Sequence, residues 1–153
     1  MKLIEDSRQK AEKHEIKHNW FASHNISLFR SKQAFGDYAL PPAAAVDTKQ
    51  NLQEIAGNMC GSAREKKRFR EECKLAKECG SKLIVLIEDE RVQSVDDLYG
   101  KSIWLMSKQI IKGDQLAKAM VTMHERYDVD LMFCKPEDSA EMIMKLLEKY
   151  NNG

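Results

Sequence analysis

Gly36-Asp37-Tyr38-Ala39-Leu40-Pro41-Pro42-Ala43-Ala44-Ala45-Val46-Asp47-Thr48-Lys49 is the stretch that decides the fold. Ala34–Leu40 reads as a strand. Pro41-Pro42 cannot donate ladder hydrogen bonds and marks a turn. Ala43–Lys49, small and then β-branched, returns as a second strand, so Asp37 and Asp47 lie on the two arms of a hairpin. Side chains alternate along a strand, which sets Asp47 and Lys49 on one face. Thr48 points the other way, but its carbonyl can still reach a metal. Two carboxylates, a carbonyl and waters suit a hard cation, Mg²⁺ or Mn²⁺. Such an ion binds a scissile phosphate and acidifies an attacking water. Lys49 can hold that water or neutralise developing charge. A solvated strand edge and ordinary turn chemistry are the bland readings of the same residues.

Outward from the hairpin, Lys2–Arg8 is a short strand and Gln9–His24 a helix whose apolar stripe is Ile16 and Trp20, widened by Phe21. Ile26–Phe29 reads as a strand. Asn51–Met59 starts a helix that Gly61-Ser62 interrupts, and Ala63–Glu78 continues with Phe69, Cys73 and Ala76 on one face. Leu83-Ile84-Val85-Leu86-Ile87 is a continuous apolar run, as in a strand covered on both faces. Ser94–Tyr99 reads as a short helix, and Ser102–Met106 as a strand or apolar connector. Asp114 reads as the cap of a helix running to Tyr127 through Leu116, Met120 and Met123. Asp130–Cys134 is a strand and Ser139–Tyr150 a last amphipathic helix. The order predicts an α/β fold, a central mixed sheet flanked by helices, in one domain over residues 1–153.

The charge is unevenly spread although the net is only +1. Residues 1–82 carry 16 Lys and Arg against 11 Asp and Glu, and the remainder 9 against 13. The positive half suits an anionic partner such as a phosphate backbone. The four cysteines form no Cys-x-x-Cys pair, and the chain opens without a signal peptide or apolar span. A cytoplasmic protein with free thiols and no membrane partner is the expectation.

With these residues in view, three segments resemble the XPF-type nuclease domains of the PD-(D/E)XK superfamily, which implies a restriction-endonuclease-like fold. Ile4-Glu5-Asp6-Ser7-Arg8-Gln9 resembles the family's opening Asp-x-Arg strand end. Gly36-Asp37-Tyr38 resembles its Gly-Asp motif, and Val46-Asp47-Thr48-Lys49 its Glu-Arg-Lys triplet at the usual interval. The resemblance implies a metal-dependent DNA endonuclease of repair or recombination, acting on branched or structured DNA. It implies Asp37 and Asp47 as metal ligands, Thr48 through its carbonyl, Asp6 as a third acid, Lys49 as the catalytic lysine and Arg8 on phosphate. Three departures stand out. Thr48 replaces Arg, Gln53 replaces an acid four residues after the lysine, and no helix-hairpin-helix module is present. Glu15 on the first helix is a further acid to consider.

Two other patterns compete for attention. Arg64-Glu65-Lys66-Lys67-Arg68-Phe69-Arg70 carries five cations in seven residues, and on a helix Arg64, Lys67 and Arg68 fall on one side. That side can track DNA, although a solvated face is the commoner meaning. His14-Glu15-Ile16-Lys17-His18 matches the zincin pattern His-Glu-x-x-His. Against a zinc peptidase, Phe21 stands where the longer pattern needs a Gly before the third histidine, here His24. Only 13 residues precede the motif. His14 or Glu15 bordering the nuclease site is a third reading. The Met-rich C-terminal helices (Met120, Met123, Met142, Met144) read as core, or as a homodimer surface. A non-catalytic DNA-binding module of the same fold is the alternative to a nuclease.

Overall fold

The computed structural model describes residues 1–40 and 43–152. The expected Pro41-Pro42 turn lies outside the described residues. The strands are β1 (Lys2–Asp6), β2 (Ser27–Ser31), β3 (Tyr38–Leu40), β4 (Ala44–Lys49), β5 (Lys82–Ile87), β6 (Ser102–Trp104), β7 (Ile110–Lys112) and β8 (Asp130–Phe133). The helices are α1 (Glu15–Ser23), α2 (Leu52–Cys60), α3 (Ala63–Glu78), α4 (Gly113–Tyr127) and α5 (Ser139–Asn152). Six strands form one mixed sheet in the order β2-β1-β3-β4-β5-β8. Only β3 runs against its neighbours β1 and β4; the other pairs are parallel.

Strand alternation sorts the core into two layers. Ala45, Leu83, Val85 and Ile87 face α2, α3 and α4, which contribute Ile55, Phe69, Cys73 and Met120. Val46, Ile84 and Leu86 face α1 and α5, which contribute Phe21, Ile143 and Leu147. The run Leu83–Ile87 is therefore covered on both sides, as its continuous apolar pattern requires. All six residues of β4 are buried, Asp47 and Lys49 included.

Several expectations change. The strand expected over Ala34–Leu40 begins only at Tyr38, because Gly36 turns left-handed with φ +71°. On α1 the inward residues are Lys17 and Phe21, while Ile16 is 59% exposed. Lys17 turns in because Glu88, at the end of β5, pairs with its ammonium. Asp114 does not cap α4: its carboxylate accepts the Gly100 N–H at 3.0 Å, and no side chain caps the Lys112 end. Ser102–Trp104 is a strand of a separate hairpin whose partner, Ile110–Lys112, the sequence reading missed. Each arm has three residues, too few for alternation to stand out. Met120, Met123 and Met144 are buried within the chain, so they present no apolar face to a second copy.

Candidate active site

Strand direction gathers the polar ends. β1, β4 and β5 run the same way, and β3 runs against them. Hence Asp6 at the end of β1, Asp47 and Lys49 at the end of β4, and Asp37 just before β3 all fall at one edge. The carboxyl ends of parallel strands are where open α/β sheets place ligands.

Asp37 is clamped by its own backbone. Its N–H donates to the Val46 carbonyl at 2.7 Å, and its carbonyl accepts the Asp6 N–H at 2.7 Å. Its Oδ2 accepts the Thr48 N–H at 2.7 Å and the Thr48 hydroxyl at 2.9 Å. The Thr48 side chain thus aims Asp37. Beside it, Lys49 Nζ lies 3.0 Å from Asp47 Oδ2 and 5.6 Å from the centre of the Phe69 ring. Burial would release the Lys49 proton, but the Asp47 charge outweighs it and holds the ammonium above its ordinary range. Burial, then the Asp47 charge, raise the Asp37 carboxyl well above the carboxylate range.

These side chains line a cleft of about 660 Å³. Its floor is Asp37, Asp47 and Lys49, with Glu72 and Asn58 on the helical side. Two buried acceptors lie there: Asn58 Oδ1 has no hydrogen-bond partner among the described residues, and Asp47 Oδ2 has only the Lys49 ammonium beside it. An acceptor shut away without a donor is costly unless a cation or water completes it. The acidic donors are hard oxygens, so they fit Mg²⁺ or Mn²⁺ better than a softer metal.

The other predicted residues divide. Arg8 lines the cleft and grips Asp6, Nη2 to Oδ2 at 2.7 Å and Nε to Oδ1 at 3.1 Å. Burial raises the Asp6 carboxyl, but the Arg8 contacts prevail and lower it. Arg68 lines the cleft. Lys67 lies off it, 3.9 Å from Glu71, and exposed Arg64 does not line it. Gln53 is turned away, its Oε1 accepting from Arg91 at 3.0 Å. Glu15 is exposed and outside the cleft, whereas its neighbour His14 is buried and lines it. Lys10 and Lys13 on the rim, and Glu72 and Asn58 in the wall, were missed. The helix phase of α3 puts Glu72 only at the edge of the buried Phe69–Cys73 face, where an acid reads as solvated surface, and nothing in the sequence pointed to Asn58.

The zincin pattern does not assemble. His18 Nε2 sits 2.5 Å from Glu5, and His24 stacks on Trp20 with ring centres 3.7 Å apart. Among the described residues, only His124, Asp128 and Asp130 bring three possible metal-ligand side chains within 4.8 Å of one another. That group lies beyond β5 on the far side of the sheet from β1, and the Lys82 ammonium already sits 2.8 Å from Asp128 and 3.0 Å from Asp130.

The mixed sheet and the acid–lysine edge define a nuclease-type domain of the restriction-endonuclease-like fold. The chain belongs to the ERCC4 domain family, whose sequence profile matches residues 5–146. Its fold is similar to XPF from Aeropyrum pernix solved in complex with DNA, with TM-score 0.69 and 16% identity. That match covers 99% of this chain and 65% of the other. A second structure of XPF from Aeropyrum pernix matches with TM-score 0.68 and 17% identity, covering 97% and 61%. The chain therefore spans less than two thirds of either solved chain, and the likeness is one of fold. No curated protein matches the sequence.

Proposed function

We propose that the chain is a divalent-metal-dependent DNA endonuclease, hydrolysing phosphodiester bonds in branched or otherwise structured DNA. One observation carries this reading: buried Asp47, ion-paired to Lys49 through Oδ2, shares a cleft floor with buried Asp37. Asp37, Asp47 and the Thr48 carbonyl would hold Mg²⁺ or Mn²⁺. Once bound, the ion would acidify water and polarise the phosphate. Every other step belongs to side chains. Lys49, kept charged by Asp47, donates to the attacking water or to the oxygen that gathers charge, rather than removing a proton. Asp6, the third acid of the set, holds the Arg8 fork toward a phosphate. Arg68, with Lys10 and Lys13 opposite, lines the path of the backbone, and Arg64 and Lys67 extend that positive side of α3.

Ionising Asp37 is part of metal binding. Its raised carboxyl must lose a proton when a cation arrives, so Mn²⁺ affinity is expected to rise with pH and binding to release protons. Calorimetry in buffers of different ionisation enthalpy reads that release.

The purified protein should cut at least one of linear, nicked, flapped or four-way DNA in Mg²⁺ or Mn²⁺, and none in EDTA. Cutting of none in either metal sinks the reading. The second reading, a binding module, rests on the two departures at Thr48 and Gln53. DNA affinity unchanged by EDTA, with no cutting, would establish it.

A further inference from the structure

The β6–β7 hairpin stands on a tight base. The Gly113 N–H donates to the Lys101 carbonyl at 2.7 Å, and the Lys101 N–H to the Leu98 carbonyl at 3.1 Å. Gly113 has no room for a side chain, since an added Cβ would sit 1.8 Å from the Leu98 carbonyl oxygen. One face of the hairpin, Ile103, Leu105 and Ile111, is buried in the core layer that α2 and α4 share. A ribbon covered on one side is expected to turn polar residues to water on the other. This one turns apolar residues outward instead. Trp104 and Ile110 are partners across the ladder, on one face, and are 60% and 50% exposed. Met106, at the turn, is 97% exposed. A grouped apolar surface of this kind marks a binding site.

Charge says what fits it. Residues 101–112 hold three cations, Lys101, Lys108 and Lys112, and no acid. All three lysines are exposed. A second copy docked on this hairpin would bring like charges together, because a two-fold contact meets itself. A polyanion with flat apolar surfaces meets no such conflict. Unpaired DNA has that chemistry: its bases stack on aromatic rings and its phosphates take lysines. The hairpin is also tied to the cleft, since β6 packs on α2, the helix that brings Asn58 to the cleft wall.

We propose that the β6–β7 hairpin binds the unpaired bases of branched DNA, with Trp104 as the stacking platform and Lys101, Lys108 and Lys112 on the flanking phosphates. This rests on the DNA reading above and names what would tell a branch from a plain duplex.

Binding is read by fluorescence anisotropy in EDTA, apart from cutting, on single-stranded, flapped and blunt duplex DNA of one sequence. Trp104→Ala should weaken binding of the single-stranded and flapped DNA by about tenfold, a loss typical of one stacking aromatic, and leave the blunt duplex unchanged. Trp104→Phe should keep most of the affinity. Single-stranded DNA should quench the tryptophan emission of wild type but not that of Trp104→Phe, which retains only Trp20. If Trp104→Ala binds the single-stranded and flapped DNA as wild type does, or loses the blunt duplex equally, this proposal falls alone. If wild type binds none of the three DNAs, the DNA reading falls with it. Sedimentation tests the other occupant: a wild-type dimer that Trp104→Ala splits assigns the face to a second copy and overturns the proposal. Should Trp104→Ala melt early, the emission decides: a wild-type signal unmoved by saturating single-stranded DNA overturns it.

Discussion

Lys49 shows how one residue's environment fixes its task. Buried beside Asp47, it stays charged, so its contribution is a cation and hydrogen-bond donor at the point of charge development. Lys49→Ala should lower cutting by on the order of 10²-fold or more, the usual cost of removing one such donor, in a single-turnover assay. Gly36 has an equally local reason. Its φ of +71° suits glycine, and an added Cβ would sit 2.8 Å from the Ala45 Cβ. Gly36→Ala should cost about 1–3 kcal/mol by urea unfolding, the range for strained backbone, and should loosen Asp37 enough to weaken Mn²⁺ binding. Asp37, Asp47 and Lys49 were legible in the sequence because a hairpin and a period of two relate them directly. Glu72 was not, because its link to Asp37 runs through the tertiary placement of α3. Its neighbours Arg68 to Cys73 read as an amphipathic helix, and an acid at the edge of such a helix looks like solvated surface.

At the scale of elements, α1 was the least legible. Its apolar residues suggested Ile16, Trp20 and Phe21 as the inner face; Phe21 is buried and Trp20 half-buried against the core, but Ile16 is exposed and Lys17 turns inward. The reason is a polar partner: Glu88 pairs with Lys17 and also accepts the Ser139 hydroxyl at 2.8 Å. A hydrophobic pattern carries no signal for a buried ion pair. Lys17→Met should destabilise by about 3–5 kcal/mol because it strands a buried carboxylate, and Lys17→Met with Glu88→Leu should recover most of the loss in denaturant melts. His14, just ahead of α1, adds a pH dependence. Burial, then the Lys17 charge, lower its imidazole to about 4. As the pH falls below about 6.5, the unfolded chain takes up a proton that the folded chain refuses. Stability should therefore be full above that value and decline toward pH 4. His14→Gln should flatten that decline in thermal melts across the same window; an unchanged slope would contradict the account. The starts of α2 and α3, by contrast, fall where the sequence reading put them, on either side of the break at Gly61-Ser62: Asn51 accepts the Glu54 N–H at 2.9 Å and Ser62 the Glu65 N–H at 3.2 Å.

For the whole molecule, the alternation of strands and helices gave the mixed sheet correctly, and the family profile over residues 5–146 agrees with it. Among the described residues, no helix is long and apolar enough to cross a membrane. The β6–β7 hairpin escaped because its short arms stand outside the main sheet. Charge at this scale predicts how DNA is held. Affinity should fall linearly with the logarithm of salt, and Arg68→Ala should reduce that slope by about one, as loss of one phosphate contact does. Lys67→Ala, whose side chain lies off the cleft, should change it less. Fluorescence anisotropy over a salt series separates the two.

The most direct test of the central claim is the single-turnover rate of DNA cutting in Mg²⁺ and Mn²⁺ for wild type, Asp47→Ala and Lys49→Ala, with folding checked by melting. The account predicts metal-dependent cutting by wild type and a loss on the order of 10²-fold or more in both variants. Folded variants that cut as fast as wild type would contradict it.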